Sequence, residues 1–495
     1  MWMLKIKGLC FAGLLFLFVI SILVRLPNLG RPLSKHHEFV AATVLINLES
    51  WRQAGGAGIF HFTPVTNFQN PGDRSREKGV YIDQAGNQLY LSLGPGMFVL
   101  PYLFYECLNL PSKPVYLQAL NLTLNLGAVI LLFILTDRIL PIGQKDRYIV
   151  ILTVTFLYLF SPGMLWYSGN GYIQTAVMMP LIFIFLLLLL PMLQNPEKIR
   201  PLRLGGLATS LLLLIYFDWM GVFLAAVGAV LACGLSMRDS RYWRLVVTLI
   251  LTALCGALLI FYQFSSYAGY GSVLSYWQSR FLVRGFGNHP ASILWMSVHI
   301  ASHLATAFLP TLILLTVSLI WLMWKKIPLC LTRMEMIFVG LYGISLLVYN
   351  GVFLEWSYEH EFSIIPAAPL LAFLAAKAMA IVVTDLRYRT SLLLLVFAAT
   401  LAQYYYINRP GAISRDKMAY ASYQHFGNEL KNVSPDTTIF ISIENCPMIE
   451  YYAGRNLKRV PDLDSAKHYM LRWGVNKAVW IDHDKFDFQR ATPIH

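Results

Sequence analysis

Ionisable side chains are scarce in this chain. Only 13% of its 495 residues are charged, against 57% hydrophobic, and long stretches carry no Asp, Glu, Lys or Arg at all. A chain so poor in charge is not built for water on every side, which excludes an ordinary soluble globular protein. The six cysteines form no CxxC pair and no spaced framework: Cys10, Cys233, Cys255 and Cys330 lie in or beside apolar segments, Cys107 in a loop helix and Cys446 near the C-terminus. A disulfide scaffold is therefore not expected. No repeat of about 20 to 50 residues stands out, which excludes a solenoid. Acidic residues number 26 against 39 basic ones, a net charge of +13. The basic residues fall in short loops between apolar segments rather than on one face of a soluble domain, so the surplus points to membrane topology and to no nucleic-acid partner.

Long apolar segments supply the fold class. Residues 8–24 follow Lys5 and Lys7 as a signal peptide would, but lack a small-residue cleavage site, so a retained helix is expected. Further spans are expected near 115–136, 148–164, 173–191, 204–217, 219–236, 245–264, 300–324, 336–353, 362–384 and 391–407. About eleven transmembrane helices follow, an α-helical polytopic membrane protein. Alternate loops hold the bases: Arg138, Lys145 and Arg147; Lys198, Arg200 and Arg203; Arg238, Arg241 and Arg244; Lys325, Lys326 and Arg333; Arg387 and Arg389. The other short loops hold almost none. This bias predicts a cytoplasmic N-terminus and, with an odd helix count, an outer C-terminal segment.

Two outer regions are large. The first outer loop, 25–114, contains HHEFVAATVLINLESWRQAGG, whose apolar positions predict an interfacial helix ended by its glycines. It also contains YLSLGPGMFVLPYLFYECLNL, read as a second interfacial helix. Beyond residue 407 charge rises, and TIFISI, PMIEYYAG, AKHYMLRWG and KAVWID predict strand, helix, helix and strand. That alternation predicts a small α/β soluble domain over 408–495, beside a membrane domain over 1–407. The tail has no Gly-rich phosphate loop, so it is read as a scaffold or acceptor-docking domain.

The order of these parts resembles the GT-C superfamily of glycosyltransferases, of the aminoarabinose transferase and protein mannosyltransferase type. RLPNLGRP followed by HHEF stands where the family has an R-x-P and a D-E site. LYLSLGPGMFVLPY resembles its Tyr-rich, Pro-Gly interfacial helix, FSPGMLWYSGNGY its second outer loop, and YEHEFSIIPAAPLLAFLAA a late outer-loop motif. The sequence departs from the pattern at His37, which stands where the family has its aspartate. Glu38 is then the one carboxylate of the pair.

The resemblance implies a sugar donor carried on a polyprenyl phosphate, a lipid or glycan acceptor, and membrane lipids as surroundings. A carboxylate takes the proton of the acceptor hydroxyl while cations or a metal stabilise the departing lipid phosphate. Glu38 is the candidate base; the alternative is a glutamate that starts a helix and meets its macrodipole. His36 and His37 are candidates to position the acceptor or the phosphate, or to hold a divalent metal with Glu38, or simply to face headgroups. Arg280 and Arg284, four residues apart in an outer loop, are candidates for the donor phosphate or for snorkelling anchors. His360, flanked by Glu359 and Glu361, is a phosphate or sugar contact or a structural cap. Tyr167, Asn170 and Glu359 are candidates for the acceptor and sugar path, and Asp218 reads as a turn marker between two spans. The expected activity is inverting sugar transfer on the outer face of a bacterial inner membrane. A flippase of lipid-linked glycans, or a glycan polymerase or ligase, are the alternatives. Transporters concentrate polar residues at midplane, whereas here they gather in an outer loop.

Overall fold

The computed structural model describes residues 2–33, 37–70, 81–142, 146–285, 292–408, 420–442, 447–481 and 492–494. Along the chain the helices are α1 (Trp2–Arg25), α2 (Phe39–Gln53), α3 (Gly96–Cys107), α4 (Pro114–Ile139), α5 (Arg147–Leu159), α6 (Pro162–Tyr167), α7 (Gln174–Val177) and α8 (Met179–Gln194). They continue as α9 (Pro201–Phe217), α10 (Met220–Ser236), α11 (Tyr242–Ala268), α12 (Tyr270–Arg284), α13 (Ile293–Trp324), α14 (Arg333–Val352), α15 (Leu354–Glu359), α16 (Ala368–Val382) and α17 (Leu386–Asn408). The C-terminal region adds α18 (Tyr420–Leu430), α19 (Pro447–Ala453) and α20 (Leu463–Trp473).

Each expected span coincides with a helix or a pair of helices. Among the described residues seven helices are long and apolar enough to cross a membrane, and Arg147–Leu159, Pro201–Phe217 and Met220–Ser236 are shorter apolar ones. Boundaries follow proline and capping chemistry. The span expected at 148–164 breaks at Ser161, whose extended backbone (φ −67°, ψ 140°) is the conformation that a following proline imposes. The span expected from 300 starts earlier, because the Ser292 side chain accepts the Trp295 N–H and starts α13 at Ile293. Thr332 and Glu335 form a capping box that starts α14.

The chain folds as two compact units. The first comprises 1–28, 121–260 and 278–405, and is the helical bundle. Its periphery exposes large apolar residues such as Leu9, Val230, Leu258, Ile313 and Leu347, a surface that only hydrocarbon can solvate. This is an integral membrane protein. Two glycines of the FSPGMLWYSGNGY segment mark close approaches within the bundle: a Cβ at Gly163 would stand 2.8 Å from the Ala307 Cβ, and one at Gly169 2.8 Å from the Arg25 Cδ.

The second unit comprises 29–120, 261–277 and 406–495, so the first outer loop and the C-terminal region share one body. A hairpin of β1 (Tyr81–Ile82) and β2 (Gln88–Leu89) lies in the loop. The C-terminal sheet has the order β4-β3-β5-β6, from β3 (Thr438–Ile441), β4 (Lys458–Arg459), β5 (Ala478–Ile481) and β6 (Thr492–Ile494). β3 pairs parallel to both β4 and β5, and β6 closes the edge antiparallel to β5. β3 is buried at every position, as a central parallel strand must be. Phe440, Val460, Ala466 and Met470 form its core with Trp473, whose ring stacks on Phe440. The four expected elements of this region are present, and the two-residue β4 and the terminal β6 are additions that had no periodicity to betray them.

α2 is a helix from Phe39, ended by Gly55 and Gly56 at φ 93° and 133°. Its setting differs from a surface-lying amphipathic helix: Ala41, Ala42, Val44, Leu45, Ile46, Leu48 and Trp51 are all buried, because α3 and α19 cover it. Backbone groups of the loop are satisfied by the C-terminal region: the Leu33 N–H donates to the Tyr452 hydroxyl (2.8 Å) and the Phe68 N–H to Asn456 Oδ1 (2.6 Å), while Tyr451 donates to the Ser112 carbonyl.

Candidate active site

Glu38 immediately precedes the first turn of α2 and is completely buried. A buried carboxylate needs a cation, and Arg31, seven residues earlier on the approaching loop, supplies it: Nη1 donates to Glu38 Oε2 at 2.8 Å. The same Nη1 donates to the Pro32 carbonyl, which holds the guanidinium in the loop's own turn. His37 has a left-handed backbone (φ 57°), which costs a non-glycine residue on the order of 1 kcal/mol. Strain of that kind directly before Glu38 sets the direction in which α2 begins. The His37 ring lies against Phe39, with centroids 6.3 Å apart. His36 lies outside the described residues. Tyr452 completes the surroundings in this unit: burial raises its phenol to about 12, with the Glu38 charge adding and Arg31 opposing. Its ring also lines a cavity of about 290 Å³ whose polar groups include Glu49, Ser112, Lys431 and Tyr451.

Among the described residues no three His, Cys, Asp or Glu side chains converge as a metal set. His36 of the expected His36, His37 and Glu38 set lies outside the described residues, and no step is routed through a metal.

The other predicted residues belong to the helical bundle. Arg280 and Arg284 are both on α12, which realises the four-residue spacing, and Arg284 is its last residue. Asp218 is more than a turn marker. It is fully buried, accepts the Met220 N–H at 2.8 Å and the Tyr349 hydroxyl at 2.9 Å, and so starts α10 while tying it to α14. Burial raises its carboxyl to about 6, against the pull of those two hydrogen bonds and the field of Arg284. His360 stacks on Phe362 at 4.9 Å between centroids. Burial first, then the Arg284 and His303 charges, push its imidazole down to about 3. At neutral pH it is an uncharged ring, so positive charge in this corner belongs to Arg284 and not to His360. Glu359 is exposed. Tyr167 is wholly enclosed, with its ring near Phe362 and its carbonyl accepting from Asn121 Nδ2. Asn170 is buried and donates to the Asn28 carbonyl at 2.7 Å. Both side chains are buried within the bundle.

Sequence reasoning missed the partners. Arg31 was visible only as part of a quoted motif, and its signal was being the nearest arginine ahead of a lone carboxylate. Arg25, the arginine of the R-x-P triplet, turns out to be structural: it is fully buried and donates to the Leu165, Met164 and Ser21 carbonyls and to Ser168 Oγ.

The architecture, a helical bundle with a buried first-loop carboxylate in a body shared with a C-terminal α/β region, is an ArnT- and AglB-like fold. Among solved structures, ArnT from Cupriavidus metallidurans bound to undecaprenyl phosphate is similar with a TM-score of 0.60 and 13% identity, over 97% of this chain and 93% of that one. The Archaeoglobus fulgidus oligosaccharyltransferase AglB, in complex with an inhibitory peptide and a dolichol-phosphate, is similar at 0.54 and 11% identity, over 96% of this chain and 69% of that one. The same oligosaccharyltransferase in complex with Zn and sulfate gives 0.53 and 11%, over 94% and 67%. No sequence-family model and no curated protein matches the chain.

Proposed function

We propose that this protein is a membrane glycosyltransferase that moves a sugar from a polyprenyl-phosphate donor to a lipid or glycan acceptor on the outer face of a bacterial inner membrane. The observation that carries the reading is Glu38, a fully buried carboxylate paired with Arg31 at the entrance of α2, in a chain of GT-C fold. The solved neighbours hold undecaprenyl phosphate in one case and a dolichol-phosphate in the other, which supports a lipid-phosphate donor. In the proposed reaction Glu38 takes the proton of the acceptor hydroxyl as its oxygen attacks the anomeric carbon, and the sugar's bond to the lipid phosphate breaks. Arg31 keeps the carboxylate in position. Arg280 and Arg284 are proposed as the donor-phosphate contacts, since a guanidinium binds phosphate in a bidentate fork. The neutral His360 contributes at most a single N–H.

The test is complementation of a strain lacking the gene, read by mass spectrometry of its polyprenyl-linked sugars and envelope glycans. Glu38→Gln is nearly isosteric and should cut transfer by about 100- to 10,000-fold while the protein accumulates normally. Glu38→Asp should keep a fraction. Transfer by Glu38→Gln at the parental rate would reduce Glu38 to a helix-start residue.

A further inference from the structure

The basic end of the helical bundle carries a feature that sugar transfer does not use. A cavity of about 290 Å³ opens there among the end of α8, the last turns of α10 and the first turn of α14. Its walls are apolar, formed by Leu193, Leu231, Gly234 and Ile337, and two guanidinium groups, Arg238 and Arg333, stand among its lining residues. Several other bases at this end are matched by acids: Arg147 by Asp137, Arg389 by Asp146, Arg241 by Asp239 and Glu197, and Lys377 by Glu335. The carboxylates closest in sequence to the two cavity arginines are thereby taken, Asp239 by Arg241 and Glu335 by Lys377. Neither the Arg238 nor the Arg333 side chain has an ion-pair or hydrogen-bond partner among the described residues. Two cations against an apolar groove call for an occupant with an anionic head and a hydrocarbon body.

The mouth of the groove names its source. Leu231 of the lining is exposed, as are Met237 and Met336, the chain neighbours of the lining residues Arg238 and Ile337, and apolar exposure of this kind is what a bilayer covers. We infer that this groove is a binding site for one anionic glycerophospholipid of the surrounding membrane, its phosphodiester bridged by Arg238 and Arg333 and an acyl chain laid along Leu193, Leu231 and Ile337. Guanidinium groups match phosphate oxygens in geometry as well as charge, and the cavity has room for roughly ten methylene-sized groups. Gly234 fits the same picture: a Cβ there would meet nothing within 4 Å, so the helix surface at this point borders open space rather than a neighbouring helix. Arg203 and Arg244 supply the internal comparison. They also lie among the bases of this end and have no acidic partner among the described residues, but neither lines the cavity.

The experiment is native mass spectrometry of the full-length protein in detergent, titrated with phosphatidylglycerol or with phosphatidylethanolamine. The parent should retain one phosphatidylglycerol saturably and lose phosphatidylethanolamine at the same activation energy. Arg238→Gln with Arg333→Gln should weaken that retention by about tenfold or more, whereas Arg203→Gln with Arg244→Gln should leave it unchanged. Gly234→Leu keeps both arginines, favours the helix and fills the groove, so it should also reduce retention. Thermal unfolding within a few degrees of the parent establishes that each variant is folded. Equal losses in the two arginine pairs would mean diffuse attraction to headgroups, and equal retention of the two lipids would mean a groove blind to charge. Retention unaffected by Gly234→Leu would place the lipid elsewhere. Each of these outcomes overturns the inference.

Discussion

Arg25 is a residue that a sequence motif marks but whose role only its contacts reveal. In sequence it is the base that opens the R-x-P triplet. In the structure its guanidinium is consumed by the protein: Nε donates to the Leu165 carbonyl, Nη2 to Met164 and Ser168, and Nη1 to its own helix at Ser21. The Leu165 and Met164 carbonyls belong to the C-terminal end of α6, which carries partial negative charge, and Met164 also accepts the Ser168 N–H. The side chain reaches them only because residue 169 has no Cβ. A Gly169→Ala methyl would stand 2.8 Å from Cδ and 3.2 Å from Nε of a side chain pinned at its far end by four hydrogen bonds. Gly169→Ala should therefore destabilise the protein by about 1–3 kcal/mol, seen as a lowered unfolding temperature in detergent. Gly205→Ala, where a Cβ meets nothing within 4 Å, should be neutral or slightly stabilising. Identical unfolding temperatures for the two variants would contradict the close-approach account.

Between elements, the most consequential contact is the pair of α14 and α16. Lys377 lies within an apolar helix, in a span where a cation is costly, and its Nζ meets Glu335 Oε1 at 2.6 Å with both side chains buried. Glu335 has a second duty, since its other oxygen accepts the Thr332 N–H and closes the capping box that begins α14. One carboxylate thus starts a helix and docks its neighbour. Lys377→Met should cost about 3–5 kcal/mol by stranding the buried Glu335 charge. Adding Glu335→Gln removes that charge while retaining a capping side chain, so the double variant should recover most of the loss in a thermal unfolding measurement. A double variant no more stable than the single one would show that the pair's geometry, and not its charge balance, matters. The span around Lys377 was legible from hydropathy; the partner, 42 residues earlier, was not, because nothing local specifies which of the other helices packs against α16.

For the whole molecule, everything proposed about the reaction depends on which end of the bundle faces out. The bases at Arg238, Arg241 and Arg244 predict that their loop is cytoplasmic, and the expected C-terminal region is then outside. In a background with all cysteines removed, Leu471→Cys should react with an impermeant maleimide applied to intact cells, and Ser240→Cys should react only after permeabilisation. Leu471 is 85% exposed and Ser240 is in an exposed turn, so neither result is confounded by burial. The reverse pattern would invert the topology and place Glu38 away from any outer acceptor. The second unit joins segments that are far apart along the chain. The C-terminal region sets Asn456, Tyr451 and Tyr452 against polar groups of the first outer loop, and its α19 covers α2.

Hydrophobic period and length were enough to establish the membrane class, the run of apolar helices, the helix of HHEFVAATVLINLESWRQ and the strands and helices of the C-terminal region. These are properties of neighbours in sequence: a helix satisfies its own backbone, and a proline or a capping serine acts within one turn. Glu38 was legible for the same reason, as a lone carboxylate in a basic and apolar stretch. Its ion pair with Arg31, the enclosure of Tyr167 and Asn170, the neutral His360 and the buried Asp218 were decided by tertiary structure alone. Each depends on how much water a side chain keeps and which distant group replaces it. Desolvation and Coulomb energy are set by distances across the fold, and those distances have no counterpart in the order of residues along the chain.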